Sequence, residues 1–180
     1  MPGWLEIALW VVGVVVVLVV GVGLMLPRAF EISRSIVIAA PPEKIHPFID
    51  SFRNWPRWSS FDTADPDARF ELTEPTSGVG AKRTWKGRKL GDGSQWIVAS
   101  DPAKGVSMKL DMTHMEHAFE FAFAEDAGGT RVTWSDRGEF PAAPHWRLLG
   151  NLFIQSMLGG MFENGLASLK RVVEQPAPAP

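Results

Sequence analysis

Residues 106–124 read VSMKLDMTHMEHAFEFAFA. In the first half Met108, Leu110 and Met112 alternate with Ser107, Lys109 and Asp111, and in the second Phe119, Phe121 and Phe123 alternate with Ala118, Glu120 and Ala122. A period of two puts every large apolar side chain on one face of a pleated strand and the small or polar ones on the other. Two such strands in succession predict an antiparallel pair with one oily face and one wet face. Further strands are expected at 30–38, 69–73, 81–86, 94–99 and 130–137, besides 106–113 and 115–124. Turn signals separate them: SGVG at 77–80, GDG at 91–93, DP at 101–102 and AGG at 127–129. These spacings suit an antiparallel meander.

What covers the oily face comes from the two ends of the soluble stretch. After the first strand, AAPPE at 39–43 reads as a turn into a short helix with proline at its start, running to about Asp50. Pro56 restricts the next segment to a short helix or turn carrying Trp55 and Trp58, which brace the helices against the sheet or line a cavity mouth. From Trp146 to Glu174, Leu148, Leu152, Phe162, Leu166, Leu169 and Val173 recur at helical spacing, with Glu163, Lys170 and Arg171 elsewhere. The Gly159-Gly160 pair inside this helix permits a kink or a close approach to the sheet. One antiparallel sheet closed by helices on one side is an α+β layer solution. Strand twist curls such a sheet around its closing helix and leaves a cavity on the concave side.

Ahead of this domain, Trp4 to Leu26 is one apolar run in which Glu6 is the only charge. As a helix it spans about 34 Å, slightly more than the ~30 Å hydrocarbon core of a bilayer. No basic residue precedes it and its apolar core is too long for a secretory signal, so it is expected to be a single transmembrane anchor. Arg28 and Arg34 follow it, and the positive-inside tendency then places the domain in the cytoplasm. The expected division is an anchor at 1–27, one domain at 28–174 and an extended Pro/Ala tail at 175–180. The chain has 180 residues and a net charge of −2, which makes nucleic acid an unlikely partner class. It contains no cysteine, so redox chemistry favours neither compartment. Eight Trp, eleven Phe and seven Met with no Tyr leave much apolar surface to place.

The order of elements and a set of short motifs together resemble the START-like or SRPBCC superfamily, of the polyketide cyclase/dehydrase-related type. The motifs are RSIVIAAPPE at 34–43, NWPRW at 54–58, SGVGA at 77–81, GGTRVTW at 128–134 and FENGLASLK at 162–170. The resemblance covers roughly 31–173. It implies a helix-grip fold, a curved antiparallel sheet wrapped around a long C-terminal helix and enclosing a hydrophobic ligand cavity. It does not imply one activity, since such folds serve lipid carriers, cyclases, chaperone regulators and oxygenase components.

Within that frame, Trp85, Met108, Met112, Phe119, Phe121, Trp134, Phe153 and Met157 are the expected ligand-binding residues, because pockets for flexible apolar ligands are lined by large side chains with few polar groups. The same residues would serve an ordinary packed core. His117 shares strand parity with Phe119, and Asp136 shares it with Trp134, so both point toward the apolar face. A two-residue turn at the 128–129 hairpin would bring them directly or diagonally across adjacent strands. There they form either an acid–base pair for cyclase or dehydratase chemistry or a structural pair. Gln95 is a further inward-facing polar candidate. Lys82, Arg83, Lys86, Arg88 and Lys89 make a dense basic stretch that either faces anionic lipid or guards an exposed strand. No metal is expected, since His114 and His117 project from opposite strand faces and His46 and His145 are isolated. No other cofactor is implied, because the glycine-rich segments lack phosphate-loop spacing. The leading expectation is binding of a lipid-like or polyketide-like molecule, with a cyclase or dehydratase and a protein-interaction module as alternatives.

Overall fold

The computed structural model describes residues 3–112 and 115–175. Helix α1 (Gly3–Met25) precedes β1 (Ala29–Ile38), α2 (Pro42–Asp50), a 3₁₀ turn (Phe52–Arg57) and α3 (Ser60–Ala64). The meander follows as β2 (Arg69–Thr73), β3 (Lys82–Lys86), β4 (Gly93–Asp101), β5 (Gly105–Met112), β6 (Met115–Asp126) and β7 (Gly129–Glu139). The chain closes with α4 (Pro144–Leu149), a π-helical turn (Gly150–Ile154) and α5 (Gln155–Glu174). All strands join one antiparallel sheet in the order β1-β7-β6-β5-β4-β3-β2, so only β1 leaves sequence order, pairing with β7 to bring the two ends of the domain together. The α+β helix-grip architecture expected from the sequence is the one observed.

The alternation in 106–124 becomes burial as expected: Val106, Met108, Leu110, Phe119 and Phe121 are buried, whereas Lys109, Asp111, Ala118 and Ala122 are exposed. Register across β6 and β7 is set by a two-residue turn, with Asp126 opposite Gly129. Gly129 has φ +133°, and a Cβ there would stand 2.2 Å from the Ile38 carbonyl oxygen, so only glycine fits. Helix α5 lies across the concave face. At its contact Phe162 stacks on Trp134 at 4.2 Å and an interplanar angle of 3°, and Trp134 in turn stacks on Phe121 at 4.7 Å. Trp58 and Phe119 meet Trp134 edge-on at 5.8 and 5.9 Å, the geometry that ring quadrupoles prefer. Gly165 makes this approach possible, because an added Cβ would lie 2.9 Å from Trp134 Cζ3.

Two elements differ from the sequence reading. Helix α3 has five residues, too few for a hydrophobic period to be visible. The long C-terminal pattern begins earlier than expected, at Pro144, and passes through a π-helical turn where Gly150 packs against Phe140. Of the two roles expected for the Gly159-Gly160 pair, a kink or a close approach, Gly159 serves the second: it is buried beneath the Arg34 guanidinium in an unbroken α5. Thr113, His114 and most of the 175–180 tail lie outside the described residues.

Helix α1 is the one element among the described residues long and apolar enough to cross a membrane, and nearly all of it is exposed. It touches the domain at its C-terminal end. Gly23 lies so close to Pro144 that an added Cβ would stand 2.3 Å from that residue's carbonyl oxygen. Arg147 Nη1 donates to the Leu24 carbonyl at 3.5 Å, and Asn151 Nδ2 donates to that of Pro27 at 3.2 Å. The first satisfies a carbonyl that the end of the helix leaves free, and the second one in the turn that follows it.

Candidate ligand-binding site

Along β3 and the residue before it, Ala81, Arg83 and Trp85 share one face and turn inward, while Lys82 and Lys86 turn to solvent. Arg83 is therefore a buried arginine, 4% exposed, at the boundary of two spaces. Its Nη1 donates to Asp62 Oδ1 at 2.8 Å and its Nε to Gln95 Oε1 at 3.0 Å. The guanidinium carbon lies 4.2 Å from the Trp55 ring centroid and between 5.3 and 5.7 Å from those of Phe52, Phe70 and Trp85. Burial pushes the guanidinium below its ordinary value, and the neighbouring Asp62 carboxylate pulls it back up. Arginine nonetheless stays charged at neutral pH, so its charge is balanced by one carboxylate and four aromatic faces.

Outside Arg83 lies an open groove of about 350 Å³, walled by Phe52, Pro56, Phe70 and Leu72, with Arg53, Asp62 and Arg83 as its polar members. Inside it lies a hollow of about 20 Å³ lined by Phe61, Phe70, Trp85, Leu90, Gln95, Leu110, Met112 and Phe119. The hollow has room for about one water. Phe70 and Arg83 line both spaces and form the partition between them. The spacious cavity expected on the concave side is thus largely filled, because the Phe121–Trp134–Phe162 stack and its edge-on partners occupy it.

The expected lining residues separate into three groups. Trp85, Met112 and Phe119 line the hollow. Met108, Phe121 and Trp134 are packed in the core beside it, with Met108 Sδ accepting from Gln95 Nε2 at 3.1 Å. Phe153 and Met157 belong elsewhere: they are 63% and 60% exposed on the outer side of the helix, because the inward face at that level is taken by Gly150, Gly159 and Phe162. Trp55 and Trp58 are buried braces whose indole N–H groups donate to Ile49 and Phe48 carbonyls. Gln95 points inward and holds Arg83.

His117 and Asp136 meet diagonally, since Phe119 stands opposite Asp136 and His117 opposite Gly138. His117 Nδ1 lies 3.2 Å from both carboxylate oxygens, within reach to donate to either. Asp136 is 1% exposed, and burial pushes its carboxyl above the ordinary range, opposed by the hydrogen bond from His117. Phe30 covers the imidazole at 5.4 Å, and neither member of the pair lines the groove or the hollow.

The basic stretch also needs correction. Arg83 is internal, leaving Lys82, Lys86, Arg88 and Lys89 exposed. Strand β3 sits between β2 and β4, so these residues do not guard a sheet edge. Lys89 and Leu90 donate their backbone N–H groups to Asp65, at 2.7 and 3.2 Å, and these bonds hold that carboxyl below its usual range. His46 is paired with Ser100 at 2.8 Å, and among the described residues no three acidic or histidine side chains are grouped to hold a metal ion.

A curved antiparallel sheet gripping a C-terminal helix, with an apolar space between them, defines the helix-grip class of domain. The chain belongs to the SRPBCC-type family described as polyketide cyclase/dehydrase and lipid transport, whose model matches residues 29–174. No curated protein matches the chain. Among solved structures, a Staphylococcus aureus protein of unknown function superposes with a TM-score of 0.63 at 14% identity, over 82% of this chain and 95% of its own. The KanY protein gives 0.61 at 16% identity, over 81% and 98%. Ara h 8.0201 gives 0.52 at 14% identity, over 81% and 97%. At these identities the likeness is one of fold.

Proposed function

We propose that this chain is a single-pass membrane-anchored helix-grip domain that binds a hydrophobic small molecule, lipid-like or polyketide-like, in the groove above the Arg83–Asp62 pair. The observation that carries this reading is the groove itself: its 350 Å³ fall in the range of ~300–1,000 Å³ usual for small-molecule sites, with apolar walls and a few convergent polar groups. Arg83 and Asp62 offer a polar end to the ligand, and Phe52, Phe70 and Leu72 cover its apolar part. A swing of the Phe70 ring would join groove and hollow, giving the ligand's tail the lining of Trp85, Met112 and Phe119. The family's description names both lipid transport and cyclase or dehydrase chemistry, and the site favours binding because the His117–Asp136 pair borders neither space. The length and exposure of α1 support an anchor, and the basic residues that follow it favour a cytoplasmic domain. Tethering raises the local concentration of the pocket near membrane-dissolved ligands.

Native mass spectrometry of the full chain released from detergent tests the reading. One small molecule per chain is expected on the wild type and none on Leu72→Asp, a change at a half-exposed groove wall that leaves the core intact. A wild-type chain that stays empty after incubation with a total lipid extract, or a ligand retained by Leu72→Asp, would overturn it.

A further inference from the structure

The helical segment that follows the sheet carries Trp146, Leu149, Leu152, Phe153 and Met157 exposed on its outer side. Trp146, Leu149, Phe153 and Met157 follow helical spacing, so they form one continuous apolar stripe across α4, the π-helical turn and the start of α5. Other residues of the same segment hold it to the molecule: Gly150 packs against Phe140, Arg147 and Asn151 reach the carbonyls of Leu24 and Pro27, and Pro144 seats against Gly23. These contacts hold the start of the stripe at the last turn of α1, where Gly23 stands two residues before that helix ends, and the stripe runs on from there past Pro27. Arg28 lies at the same junction, its Nε donating to the Phe140 carbonyl at 3.4 Å. A tryptophan, bulky aliphatic residues and arginines at the depth where an apolar helix leaves the hydrocarbon is the composition of a membrane interface.

We propose that this face, α4 through the first turn of α5, is a second membrane contact that lies in the headgroup region of the leaflet from which α1 emerges. This inference rests on the reading of α1 as a membrane anchor. The occupant is the lipid bilayer, argued from the continuity of the stripe with α1. Two contacts at one junction turn a flexible tether into a fixed mount, so the domain stands on the membrane in one orientation.

The chain has no cysteine, so single cysteines report without interference. Phe153→Cys, Val15→Cys in the middle of α1 and Val79→Cys on an exposed loop are each labelled with an environment-sensitive fluorophore in the full chain, reconstituted in phosphatidylcholine vesicles. The expected result is a blue-shifted label at 153, quenched by lipids carrying a nitroxide near the headgroup and shielded from aqueous iodide. The label at 15 is quenched by lipids carrying the nitroxide at the chain end, and the label at 79 by iodide. A label at 153 as open to iodide as that at 79, with 15 still in lipid, overturns the proposal and leaves the anchor standing. A label at 153 shielded from both quenchers overturns it too, in favour of a protein neighbour or a second copy. If iodide reaches position 15, the anchor reading falls and the proposal with it.

Discussion

Arg83 shows how one side chain organises a site. A guanidinium among Phe52, Trp55, Phe70 and Trp85 is tolerated only because Asp62 and Gln95 occupy two of its nitrogens. Removing one partner of a buried ion pair leaves the other charge uncompensated, at a cost of about 3–5 kcal/mol, whereas replacing both by apolar groups is close to neutral. Chemical denaturation should therefore show Asp62→Leu and Arg83→Met each strongly destabilised and the double variant restored to near wild-type stability; additive losses would contradict the pairing. Asp136 makes the opposite kind of statement. Its carboxyl holds a proton more tightly in the folded chain than at the ordinary value of 3.8. Its contribution to folding is therefore full below that value and is lost as pH rises through the raised one. Melting temperatures of the wild type and Asp136→Asn, compared across that window, should diverge as pH rises, the wild type losing ground; parallel curves would contradict this. At this scale parity alone placed His117, Asp136 and Gln95 inward. The same parity, applied to Ala81, Arg83 and Trp85, would have placed Arg83 inward, but the surrounding lysines masked it. Asp62 had no such signal, because its partner is 21 residues away across a turn that no local pattern encodes.

Elements were legible where a period repeats and obscure where a contact decides. The strict alternation in 106–124 marked β5 and β6, and the FENGLASLK segment marked the grip of α5. The fate of Phe153 and Met157 was not readable, because it depends on which face of the helix Gly150, Gly159 and Gly165 bring against the sheet. Of these contacts the one over the aromatic stack is Gly165 on Trp134. Gly165→Ala should destabilise the domain by about 1–3 kcal/mol, the usual cost of overpacking, despite the higher helix propensity of alanine. It should also change the near-ultraviolet circular dichroism of the tryptophans. A stabilised variant with an unchanged spectrum would mean that α5 does not approach Trp134 this closely.

At the scale of the whole molecule, the fold brings a ligand-sized groove, a nearly filled interior and an apolar helix into one chain. The filled interior matters for mechanism: a ligand longer than the groove must displace Phe70 to reach the hollow, so binding of long amphiphiles should be slower than that of short ones. Stopped-flow fluorescence with a chain-length series on the wild type and Phe70→Ala checks this. The variant should remove the dependence of rate on length, and a dependence equally strong in both would place the entry elsewhere. The overall volume of the cavity was illegible in the sequence, because the same aromatics that line a cavity also fill it. The most direct measurement is photo-crosslinking of the full chain in lipid vesicles with a diazirine-bearing amphiphile, followed by peptide mapping. The account predicts saturable labelling at Phe52, Phe70 and Leu72 that is competed by unlabelled amphiphile. Labelling confined to α1 and the stripe from Trp146 to Met157, with no competition, would contradict it.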